Sequence, residues 1–92
     1  MPDSDDVYDL FDNQLAFGYD AGFSNISGCY NNFFGTNAGR SNTIGKRNNF
    51  IGNQAGFANT SGTYNNFFGF CAGYCNTTGS GNNFIGRSAG EQ

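Results

Sequence analysis

The apolar residues of this chain come in adjacent pairs, not in a helical or a simple alternating pattern. Phe33-Phe34, Phe50-Ile51, Phe67-Phe68 and Phe84-Ile85 each follow two asparagines and precede a glycine, and each pair stands 17 residues after the last. No window places apolar residues at i, i+3, i+4 and i+7, so no amphipathic helix is expected. Numbered from Asn31, the copies at 31–47, 48–64 and 65–81 align without an insertion. A shorter copy fills 82–92, and a degenerate one fills 14–30, with Ala16 where the first phenylalanine stands elsewhere. Position 1 of the copies is Asn31, Asn48, Asn65 and Asn82; position 2 is Asn32, Asn49, Asn66 and Asn83. Position 8 holds alanine, position 12 asparagine, and positions 5, 9 and 15 glycine.

A fixed period of this length is the mark of stacked units. Seventeen residues broken by glycine every few positions are too few for a helix pair, so each copy is expected to be one coil of a parallel β-solenoid. The expected fold class is therefore all-β, a parallel β-solenoid (β-helix or β-roll) of about five coils, 14–30, 31–47, 48–64, 65–81 and 82–92. Glycine would stand at corners that need positive φ or where neighbouring coils approach closely. Stacking turns each position into a ladder, with asparagine amides bonded up the stack and phenylalanine rings packed on one another. A disordered low-complexity segment tolerates slippage that these copies do not show, and propeller blades need longer repeats.

Successive side chains of a strand face opposite ways, so the two members of each apolar pair cannot both enter one core. One of the ladders Phe33, Phe50, Phe67, Phe84 and Phe34, Ile51, Phe68, Ile85 is expected inside, with alanine opposite, and the other is expected as an exposed association stripe. A weaker stripe at position 10, Phe23, Phe57 and Tyr74, is interrupted by Arg40. Solenoid ends need covering. Residues 1–13, acidic but carrying Val7, Tyr8, Leu10 and Phe11, are expected either to cap the first coil or to complete the last coil of the next molecule. The second arrangement is a head-to-tail contact that grows into a filament.

Composition removes most other chemistry. The chain has 92 residues, a net charge of −3 and no histidine, and most of its acid lies in the first twelve residues. No basic field is available for nucleic acid, and no run near twenty apolar residues crosses a membrane. The acidic leader does not read as a signal peptide. Cys29, Cys71 and Cys75 lack the spacing of a zinc site and read as small packed or surface residues. No acid/base pair, activated nucleophile or phosphate loop can be assembled, so neither enzyme activity nor a cofactor is expected.

Asn25, Asn59 and Asn76 open glycosylation sequons in one column, although asparagine at a corner that needs the left-handed region explains the column as well. Thr43, Thr60 and Thr77 follow in a short hydroxyl row of the sort found on ice-binding solenoids, interrupted by Ile26.

The copies "NNFIGNQAGFANTSGTY" and "NNFFGFCAGYCNTTGSG" resemble the seventeen-residue Asn/Phe/Gly repeats of phage tail-fibre-like and bacterial adhesin-like proteins, and more loosely the head repeats of trimeric autotransporter adhesins. The resemblance covers residues 14–92. It implies an elongated β-rich shaft or head, assembled as a multimer and displayed at a surface. The expected function is a self-assembling structural protein, extracellular or virion-borne, whose partner is itself. The alternative is a surface-binding module for a cell-surface glycan or receptor, or for ice.

Overall fold

The computed structural model describes residues 15–90; the acidic segment 1–13 and its expected capping role lie outside them. The described chain is all-β. Five three-residue strands, β1 (Leu15–Phe17), β2 (Asn32–Phe34), β3 (Asn49–Ile51), β4 (Asn66–Phe68) and β5 (Asn83–Ile85), form one parallel sheet in chain order. The register is set by the repeat: Asn32 lies beside Asn49, Phe33 beside Phe50 and Phe34 beside Ile51, and the same offset holds through β5. The chain is thus a β-solenoid of four complete coils and the start of a fifth, as the period predicts.

Between strands the chain turns three times in quick succession. In the second coil the backbone N–H groups of Ala38, Arg40 and Asn42 donate to the carbonyls of Gly35, Asn37 and Gly39, a run of i to i−3 turns. The same segment also bonds to its neighbours, with Gly39 N–H donating to Ala55 O at 2.9 Å and Gln54 N–H to Thr36 O at 2.8 Å. Turns and strands alike are therefore stitched coil to coil, which is how so little regular strand satisfies so much backbone.

Positive φ falls at the glycines of positions 5 and 9, as the sequence suggests, and left-handed backbone also falls at residues it does not mark. Asn25, Asn42, Asn59 and Asn76 do not adopt it; position 7 does, through Asp20, Asn37, Gln54, Cys71 and Ser88, and position 17 does, through Tyr30, Arg47 and Tyr64, all at φ of 58 to 63°. Glycine serves two different ends. Gly52 sits at φ +130°, and a Cβ there would also stand 2.6 Å from the carbonyl oxygen of Gly69. Gly62 has ordinary backbone, but a Cβ there would overlap the Gly79 carbonyl oxygen and the Asn59 amide oxygen. At position 15, then, close approach of coils demands glycine and dihedral freedom does not.

The core is a narrow column. Phe33, Phe50 and Phe67 are fully buried with Ala16, Ala21, Ala38, Ala55 and Ala72, and Phe84 packs on its end. Ring centroids are 5.4 Å apart for Phe33 and Phe50, 4.7 Å for Phe50 and Phe67, and 4.9 Å for Phe67 and Phe84, all stacked. Each ring lies flat over the glycine six residues ahead: a Cβ on Gly39 would be 2.6 Å from the Phe33 ring.

Candidate self-association face

Position 3 of each copy points in and position 4 points out. In β2, β3 and β4 the order from position 2 is half-buried, buried, exposed. Phe17, Phe34, Ile51, Phe68 and Ile85 accordingly form one continuous row on the outer surface of the sheet, with exposures of 51, 36, 40, 38 and 72%. Phe17 and Phe34 lean together at 6.2 Å with their rings tilted by 36°. The strands that carry the row read LAF, NFF, NFI, NFF and NFI, so no charged side chain stands on them.

Alongside this row runs the position 2 ladder. Asn32 Nδ2 donates to Asn49 Oδ1, Asn49 to Asn66 and Asn66 to Asn83, each at 2.8 Å. Asn49 and Asn66 each spend a donor and an acceptor on their neighbours, so the middle of the polar border has little demand left for water.

Position 1 forms a ladder of another kind. Asn31, Asn48 and Asn65 are fully buried, with Asn82 half-buried in the last coil. Their amides do not bond to one another as expected. Asn48 Nδ2 donates to the Gly62 carbonyl at 2.8 Å, and Asn48 Oδ1 accepts the Asn65 backbone N–H at 3.0 Å. The pattern recurs at Asn31 and Asn65. These side chains hold one coil closed and tie it to the next, which is a structural task and not an adhesive one.

The sequon asparagines face inward too. Asn42 Nδ2 donates to Asn25 Oδ1 at 3.1 Å, Asn59 to Asn42 at 2.9 Å and Asn76 to Asn59 at 2.9 Å. The same nitrogens reach the carbonyls of Gly28, Gly45, Gly62 and Gly79 within their own coils. Asn59 is fully buried, and a glycan on its Nδ2 is incompatible with that position. The column is thus an interior ladder and not a left-handed corner; asparagine stands there in all four copies, including one, Asn42-Thr43-Ile44, that is no sequon, so its recurrence is independent of glycosylation.

Two further rows of planar groups line the outside. At position 10 the Arg40 guanidinium lies 5.2 Å over the Phe23 ring and 3.5 Å from the Asp20 carboxylate, while Phe57 and Tyr74 stack at 5.0 Å. Arg47 lies between Tyr30, at 4.7 Å, and Tyr64, at 5.9 Å. The threonine hydroxyls are not a free array: Thr43 Oγ1 donates to Thr60 O at 3.4 Å and Thr60 Oγ1 to Thr77 O at 3.3 Å. Cys29 is half-buried, Cys71 buried and Cys75 exposed, with Cys71 Sγ 3.4 Å from Gln54 Oε1. Among the described residues no three His, Cys, Asp or Glu side chains gather. No protein-family model, curated protein or solved structure matches this chain.

Proposed function

We propose that this protein is a structural, self-associating β-solenoid, a building element of a fibre or shaft at a virion or cell surface. The observation that carries the reading is the outward row Phe17, Phe34, Ile51, Phe68, Ile85 on a sheet without charge. An apolar row that crosses every coil of so small a body marks an association surface. The saturated interior ladders make the body a rigid spacer, and the resemblance to tail-fibre-like repeats points the same way.

A receptor- or glycan-binding module is the second reading, and the exposed Tyr30, Arg47 and Tyr64 row favours it, since aromatic rings and a guanidinium offer flat platforms for stacking. Sedimentation velocity over rising concentration, with negative-stain microscopy of the same samples, separates the two. Association that deepens with concentration is the expected result. A chain that stays monomeric into the millimolar range, or that binds cells or glycans as a monomer, overturns the structural reading.

A further inference from the structure

The outward row has an internal order. From the second coil to the fifth it alternates a flat aromatic and a branched aliphatic residue: Phe34, Ile51, Phe68, Ile85. We infer that the row is built to receive a second copy of this chain in antiparallel orientation, with Phe34 against Ile85 and Ile51 against Phe68. The inference rests on the self-associating reading above and specifies its lateral bond.

Facing layers pack without voids when large residues meet smaller ones. Two copies whose solenoid axes run the same way in register would set Phe34 on Phe34 and Ile51 on Ile51, so the gap between sheets would widen and narrow from coil to coil. Sliding one copy by a coil restores Phe on Ile at three levels only, against four in the antiparallel pair. A two-fold axis along the strands, between the third and fourth coils, sends the second coil to the fifth and the third to the fourth. Every Phe then meets an Ile at one sheet separation. This operation leaves Phe17 outside the paired set, and Phe17 is the residue that breaks the alternation and leans on Phe34 instead.

The polar border agrees with the pairing. The same axis places the position 2 asparagines of one copy beside those of the other, and their amides are already bonded along each stack. At position 6 the cation Arg87 comes opposite Thr36, so no like charges meet. A contact four coils tall and one strand wide covers on the order of 200–300 Å² per copy, which is at the small end of weak, concentration-dependent contacts. Because the contact is isologous it closes at two copies; growth along the solenoid axis needs a different surface.

Spin labels test the orientation directly. Ser27 and Thr78 are exposed and occupy the same position of the first and fourth copies. Single-label variants Ser27→Cys and Thr78→Cys are made on a background with Cys29→Ser, Cys75→Ser and Cys71→Asn, the last borrowing the residue that holds the same left-handed backbone at Asn37. In the antiparallel pair, Ser27 labels are offset along the axis by about five coil spacings, roughly 24 Å, and Thr78 labels by about one, roughly 5 Å. The Ser27 distance is therefore expected to be the longer. Equal distances for the two labels mean parallel copies and overturn the antiparallel pairing while self-association stands. Failure of wild-type protein to associate at millimolar concentration overturns both. As a further arm, Phe68→Ser is expected to keep its far-UV spectrum and to weaken dimerisation at least about a hundredfold, since a two-fold counts each lost contact twice. Unchanged dimerisation in this variant removes the row from the interface.

Discussion

Asn48 and Asn49 are neighbours with the same side chain and unequal weight in the fold. Asn48 is fully buried and satisfies a carbonyl of its own coil and an N–H of the next, so Asn48→Ala strips the Asn65 N–H of this acceptor in a dry interior and leaves the Gly62 carbonyl only the longer bond from Asn59, at 3.3 Å. That change is expected to cost about 2–4 kcal/mol. Asn49 shares its amide with Asn32 and Asn66 at the half-buried sheet surface, where water replaces what is lost, and Asn49→Ala is expected to cost under about 1 kcal/mol. Urea titrations of the two variants check the contrast; equal midpoints would contradict the division of labour. Glycine divides the same way. Gly62→Ala drives a Cβ into the next coil's backbone, whereas at Gly81, φ +71°, nothing lies within 4 Å. The first is expected to lose about 3 kcal/mol or more, the second about 1–2 kcal/mol of left-handed strain alone.

Each strand is only three residues long, and its role is to sort one apolar residue inward and one outward. Phe67 stacks between Phe50 and Phe84 over Gly73, and its removal breaks a column that runs from coil to coil. Phe67→Ala is expected to cost about 3–5 kcal/mol. Phe68→Ala, one residue on, removes a side chain already 38% exposed and is expected to cost about 1 kcal/mol or less in dilute solution. Thermal unfolding followed by circular dichroism gives both values. The apolar pairs declare in the sequence that one ladder is inside and one outside. They do not declare which, because Phe is equally at home in either place; that depends on the direction in which the chain turns at Gly35, Gly52 and Gly69, at φ of 130 to 136°.

At the scale of the molecule, among the described residues each strand pairs solely with its neighbours in the next coils, so stability is close to a sum over adjacent coils. Lateral association adds to it only when copies meet. The melting temperature is expected to rise with protein concentration, because only folded chains present the row. The rise should be little changed by salt, since the strands that form the face carry no charge. A concentration-independent melting temperature would show that the row is not an interface.

The sequence alone determined the period, the parallel in-register stack and the ladder identities, because identical residues 17 apart have one economical way to lie together, each over its own copy. Tertiary structure decided what each ladder is for. Whether Asn31, Asn42 or Asn32 is buried, whether an amide bonds to backbone or to another amide, and whether Arg40 breaks a row or stacks on it follow from where the coil closes. That closure depends on the glycines at positions 5 and 9, which the sequence declares, and equally on left-handed residues at positions 7 and 17, such as Gln54 and Tyr64, whose side chains carry no local signal for that backbone. Burial is a property of the closed coil, and no single copy of the repeat contains it.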